Sequence, residues 1–154
     1  MAIPADTLGK ELEAAQRLLQ LLKQEEACLI KADVEGMSKL TAEKASVATQ
    51  MTELARHRSM VLRTVGYENS ESGITAWMNS PDATDNDRST WTELLSLAQA
   101  GKELNRTNGL LIAQQIACNQ SALNVLQGNA QGGNVYGPNG QTATKIGGRR
   151  LVIG

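Results

Sequence analysis

Apolar residues recur along the first thirty positions at alternating spacings of four and three. The series is Leu8, Leu12, Ala15, Leu19, Leu22 and Leu29, with Glu26 as its one polar member. This is the heptad pattern of a helix that buries one stripe, and it predicts a first helix over residues 5–31. Leu18, Leu21 and Ile30 widen the stripe beyond a two-stranded seam, which points to a bundle. Ala32-Asp33-Val34-Glu35-Gly36 then breaks the pattern. Asp33 suits an N-cap, where its carboxylate accepts from amides that lack a helical partner, and Glu35 suits the positive end of a new helix. A second series, Met37, Leu40, Lys44, Val47, Met51, Leu54, Arg58, Val61 and Val65, predicts a second helix over residues 33–65. Two long helices joined by so short a turn pack antiparallel as a hairpin, with Leu19 and Met51 expected in its core.

Lys44 and Arg58 fall on this otherwise apolar seam. Long cationic side chains can pack their stems and carry the charge to solvent or to a facing carboxylate, for which Glu26 is the candidate. His57 lies between two arginines with no partner set around it and reads as an exposed helical residue.

Residues 66–88 are punctuated by Gly66, Gly73, Ser80-Pro81-Asp82 and Asp85-Asn86-Asp87, the composition of a connection. Within it, Ile74-Thr75-Ala76-Trp77-Met78 predicts a short helix over residues 71–79 that packs Trp77 over the end of the hairpin. Thr90-Trp91-Thr92-Glu93 has the form of a capping box for a further helix. Leu97, Leu104, Leu111, Cys118 and Val125 repeat every seven residues. Asn108-Gly109 reads locally as a stop or turn, but the period passes through it unbroken and predicts one helix over residues 87–127. Glycine inside a helix costs ~1 kcal/mol against alanine, so Gly101 and Gly109 call for a packing reason. Gly109, Ala113 and Ala117 form a ridge of small residues that permits close approach of another helix.

Composition sharpens this picture. The chain of 154 residues carries a net charge of −1, has four aromatic residues and lacks Phe. Helix formers dominate the first 65 positions, so the expected class is all-α: a long antiparallel hairpin plus a third long helix in an elongated three-helix bundle. The near-neutral charge argues against general nucleic-acid binding. No signal peptide and no membrane-spanning stretch is visible. Cys28 and Cys118 lack a CxxC or His partner and are expected to be small buried thiols of a reducing cytosol. Residues 128–154 are glycine-rich and basic, without an acidic residue, and are expected to form a flexible tail beside a helical domain over residues 1–127.

No catalytic motif, metal-ligand set or cofactor signature is present; the P-loop pattern fails around Gly101-Lys102-Glu103. The chain therefore reads as a binding protein, not an enzyme. Its candidate surface is the third helix between Leu104 and Leu126. Leu104, Leu111, Ile112, Ile116, Leu123 and Leu126 are the apolar anchors, with Asn108 and Asn119 as orienting amides. Such a helix accepts an amphipathic partner helix, and amides meet polar atoms without the desolvation cost of full charges.

Several segments carry a resemblance. Glu25-Glu26-Ala27-Cys28-Leu29-Ile30-Lys31-Ala32-Asp33 precedes Leu40-Thr41-Ala42-Glu43-Lys44. Asn108-Gly109-Leu110-Leu111-Ile112 and Ala122-Leu123-Asn124-Val125-Leu126 follow, then Val135-Tyr136-Gly137-Pro138-Asn139-Gly140-Gln141-Thr142. In order and spacing they resemble the FlgN family of flagellar export chaperones. The resemblance implies a cytoplasmic chaperone for the two hook-associated, hook–filament junction proteins. It implies binding to their C-terminal helices, protection from premature polymerisation and delivery to the flagellar type III export gate. It further implies that Tyr136, with Gly137 and Pro138, contacts the cytosolic domain of that gate. The competing reading is a structural coiled-coil adaptor or homo-oligomer that associates through its own seams and has no secretion client.

Overall fold

The chain enters through a 3₁₀ turn, Pro4–Thr7. Proline fixes φ at the first helical position, and the Asp6 carboxylate accepts from the Ile3 amide at 2.9 Å. The structure, a computed structural model, describes the backbone from Met1 to Tyr136 and side chains through Gly128. Four α-helices follow the entry turn: α1 (Leu8–Lys31), α2 (Val34–Thr64), α3 (Glu71–Met78) and α4 (Asp85–Tyr136). No strand occurs among the described residues, and the class is all-α. By backbone contacts the chain divides into two units, Met1–Leu111 and Ile112–Gly154.

The hairpin forms as the sequence predicts. Asp33 caps α2 by accepting from the Gly36 amide at 2.9 Å. A Cβ at Gly36 would lie 2.4 Å from an Asp33 carboxylate oxygen, so the cap needs glycine there. Ala32 closes α1 with φ 54, a left-handed conformation more often given to glycine. The start of α4 differs from expectation. Thr84 and Asp87 make the reciprocal capping box: the Asp87 amide donates to Thr84 Oγ1 at 3.1 Å, and the Thr84 amide donates to Asp87 Oδ2 at 2.8 Å. Thr90 and Glu93 lie inside the helix, because this earlier and chemically equivalent box already meets the chain at its entry. At the other end α4 reaches Tyr136, past Gln127 where the sequence pattern ends it.

The core of the first unit sits at the open end of the hairpin. Leu8 and Ala15 of α1, Leu62 of α2, Ile74, Trp77 and Met78 of α3, Ala83 of the α3–α4 connection and Leu94 of α4 form one buried cluster. Trp77 is its largest member and packs over the hairpin end as expected. Arg88 fastens the α3–α4 connection by donating to the carbonyls of Met78 at 2.8 Å and Ser80 at 3.1 Å. A second cluster, Ala14, Leu21 and Val47, lies between α1 and α2.

The seam of α1 buries Leu8, Ala15, Leu22 and Leu29 as the leucine spacing predicts, but the buried face is wider than that spacing suggests. Its buried face includes Glu11, Ala14, Leu21 and Glu25, whereas Leu12 and Leu19 are half-buried. Met51 is also half-buried, packed against both clusters. The cations on α2 account for the two buried carboxylates. Arg58 pairs with Glu11, and Lys44 pairs with Glu25 at 2.7 Å. Glu26, the expected partner, is half-buried and makes no ion pair among the described residues. Each pair draws its carboxylate onto the buried face because a charge there needs a close counter-charge and further hydrogen bonds. Glu11 also accepts from the Thr7 hydroxyl at 2.6 Å. Arg58 stacks over the Trp91 ring at 5.0 Å from its centroid, which ties α2 to the start of α4.

Candidate functional site: the exposed run of the last helix

Helix α4 passes through Asn108-Gly109 without a break. The reason for continuity lies at Asn108, only 1% exposed. Its Nδ2 donates to the Leu22 carbonyl and to Glu25 Oε1, each at 2.9 Å. Both amide protons are thereby directed at acceptors, and turning the amide over would set oxygen against oxygen. Oδ1 is buried and has no donor among the described residues. Asn108 is thus not the exposed orienting amide the sequence suggested. It fixes α4 to α1, because a helix-interior amide facing the Leu22 carbonyl and the Glu25 carboxylate satisfies both.

Gly109 differs from expectation too. A Cβ built there meets nothing within 4 Å, so no close packing requires the glycine among the described residues. Gly101 stands 3.9 Å from a Leu22 methyl at the same test, an ordinary contact.

Beyond Gly109 the helix is mostly exposed. Leu111 is half-buried, as is Leu104 one heptad earlier. In the second unit Ile112 is 36% exposed, Leu123 52%, Ile116 62% and Leu126 65%, and Asn119 is exposed with them. Ile112, Ile116, Asn119, Leu123 and Leu126 follow one another by four, three, four and three residues, so they share one helix face. No Asp, Glu, Lys, Arg or His occurs between Thr107 and Thr144. The face is therefore an aliphatic stripe bordered by amides such as Gln120 and Asn124, which bond to each other at 3.3 Å. Cys118 is exposed on this run and Cys28 is half-buried, against the expectation of two buried thiols.

Tyr136 is the last residue of α4, and its side chain lies outside the described residues, as do Gly137 and Pro138 altogether. Among the described residues no group of His, Cys, Asp or Glu gathers to hold a metal ion, and no helix is long and apolar enough to cross a membrane. An all-α fold with a capped hairpin and an uncharged, aliphatic continuation of its last helix is what a family comparison must match.

The FlgN protein family model matches residues 1–144. The chain belongs to the FlgN family. The flagella synthesis protein FlgN of Yersinia enterocolitica is 27% identical over 149 residues, covering 95% of this chain and 94% of the relative. That of Proteus mirabilis is 29% identical over 149 residues, covering 96% and 89%. A crystal structure reported for a flagella synthesis protein FlgN from Pseudomonas aeruginosa superposes with a TM-score of 0.62 at 24% identity, over 79% of this chain and 93% of that one. At that identity the structure speaks for the shared fold alone.

The sequence missed the part that Glu11 and Glu25 play in this FlgN-family chain. A signal was present. Glu11 and Glu25 are fourteen residues apart, and so are Lys44 and Arg58 on the facing seam. In an antiparallel hairpin, equal separations allow both pairs to close in a single register.

Proposed function

We propose that this FlgN-family chain is a cytoplasmic export chaperone. It binds the C-terminal helical segments of hook-associated junction proteins, keeps them from polymerising and brings them to the flagellar type III export gate. The observation that supports this reading is the stripe of Ile112, Ile116, Leu123 and Leu126 on an exposed, uncharged helix. Aliphatic residues left open on a long helix suit an amphipathic partner helix laid along it, with anchors at i, i+4, i+11 and i+14 and Asn119 at i+7. The amides around them meet the polar rim of the partner at little desolvation cost. Leu104 and Leu111 of the first unit, half-buried and one heptad apart, serve as further apolar anchors, and Asn119 orients the partner from within the stripe. Tyr136, with Gly137 and Pro138, contacts the cytosolic domain of the gate. A tyrosine offers a broad contact area with few torsions to freeze.

Calorimetry with a C-terminal fragment of a junction protein tests the client surface. Leu123→Asp abolishes binding and leaves the circular dichroism spectrum and melting temperature unchanged, because the side chain is exposed. Because the surface is uncharged, affinity stays within about twofold between ~0.05 and ~0.5 M salt. Unchanged client affinity in Leu123→Asp and Ile116→Asp rejects the assignment, and self-association without client binding favours the structural adaptor. Tyr136→Ala keeps client affinity and melting temperature but weakens binding to the gate domain. Loss of client affinity in that variant places the tyrosine in the client site instead.

A further inference from the structure

The first unit holds an open groove of about 580 Å³ that the client stripe does not include. Its floor is Ala15, Leu18, Leu19 and Leu22 of α1. Thr41, Ala45, Ala48 and Met51 of α2 form one wall, and Leu97, Ala98 and Gly101 of α4 form the other. The lining runs from Thr41 to Met51 of α2 and from Leu97 to Asn105 of α4, so the groove is about 12–15 Å long, two to three helical turns. The small side chains at Ala45, Ala48, Ala98 and Gly101 leave room for the backbone of a helix to come close. α1, α2 and α4 line three sides, and a fourth helix would complete a bundle.

The charges on its rim select among occupants. Lys44 and Lys102 are the charged residues that line it, and no carboxylate does. Lys44 is engaged by Glu25, whereas Lys102 is exposed and makes no ion pair among the described residues. A small polar ligand finds few groups to orient it: the Thr41 hydroxyl already donates to the Met37 carbonyl at 3.0 Å, which leaves chiefly the Asn105 amide at one end. This chain's own segments suit the rim less well. Residues 107–144 carry no charge, and residues 145–154 carry Lys145, Arg149 and Arg150 with no acid.

We propose that this groove docks a short amphipathic helix of a partner protein, aliphatic on one face and acidic along its flank. The aliphatic face fills the trough between α2 and α4, and the acidic flank lies against Lys102. The site is separate from the stripe on the distal part of α4 and does not depend on the client reading.

The test uses the full chain and two synthetic helices of about fourteen residues, lactam-bridged because unconstrained helices of that length are marginal in water. Both carry leucines at i, i+3, i+4 and i+7; one has glutamates on its flanks and the other lysines. Fluorescence anisotropy at low salt shows the glutamate helix binding at least about threefold tighter, the scale of a few exposed charge contacts. Lys102→Glu, an exposed change that leaves melting unaltered, removes or reverses that preference. Ala48→Trp fills the groove and weakens binding at least about tenfold, as a lost apolar interface requires. Leu123→Asp leaves peptide binding unchanged. Equal binding of the two helices, or an unaltered preference in Lys102→Glu, overturns the proposal. So does loss of peptide binding in Leu123→Asp, which moves the site to the distal stripe. A dimer by light scattering that Ala48→Trp converts to monomer shows that a second copy fills the groove and overturns it as well. If Ala48→Trp does not fold, the Lys102→Glu comparison decides alone.

Discussion

Asn108 of α4 donates to Glu25 of α1 at 2.9 Å, and the other oxygen of that carboxylate accepts from Lys44 of α2 at 2.7 Å. One buried carboxylate thus connects three helices separated by up to 83 residues of sequence. Its satisfaction depends on both partners, and the amide has a cost of its own in the unpaired Oδ1. Removing the amide leaves Glu25 Oε1 without its Asn108 donor, while the Leu22 carbonyl keeps only its helical bond. Asn108→Ala is expected to cost about 1–3 kcal/mol. Asn108→Asp is expected to cost more, since it sets a second carboxylate against Glu25. Urea melts of the two variants give the order.

The two buried ion pairs specify the hairpin register. The Arg58 and Glu11 side chains are 16% and 6% exposed, and the Glu11 carboxylate also holds Thr7. Arg58→Ala strands that carboxylate and is expected to lose about 3–5 kcal/mol. The double variant Glu11→Leu with Arg58→Leu is expected to recover most of the loss, because a well-packed apolar pair of similar volume replaces a buried ion pair at little cost. Thermal melts of Glu11→Leu, Arg58→Leu and the double variant complete the cycle. A double variant no more stable than Arg58→Ala contradicts this account.

Leu21 and Leu19 mark where the buried face of α1 departs from the leucine spacing. Leu21 is 0% exposed within the α1–α2 cluster, and Leu19 is half-buried on the floor of the groove. Leu21→Ala should cost about 2–5 kcal/mol through lost burial and a cavity. Leu19→Ala should cost about 1 kcal/mol. Equal losses by denaturant titration would place Leu19 in the core beside Leu21.

Gly109→Ala should stabilise the free protein by up to ~1 kcal/mol, since the backbone is helical and the new methyl meets open space. A higher melting temperature with weaker client binding would show that the glycine serves the approach of a partner helix. A higher melting temperature with unchanged binding would show that it does not.

Much of this architecture is legible in the sequence because it rests on local periodicity. The four-three spacing from Leu8, the Asp33 cap with Gly36 behind it and the seven-residue repeat through Leu111 each specify helix and turn geometry within a few residues of themselves. The continuity of α4 through Asn108-Gly109 followed from the same repeat, although the local turn signal opposed it. The aliphatic stripe from Ile112 to Leu126 is equally local, since helical pitch alone puts those residues on one face. What tertiary structure decided was which polar residues go inside. Helical periodicity gives the centre of the buried face of α1 but not its width, and Glu11 and Glu25 lie one step, or about 100°, from the leucine seam. Their burial depends on cations that arrive from α2 and, for Glu25, on an amide more than eighty residues away. No local pattern marks Asn108 as an inward amide while Asn119, in the same helix, points outward. That difference is set by where Glu25 and the Leu22 carbonyl stand once the bundle has formed.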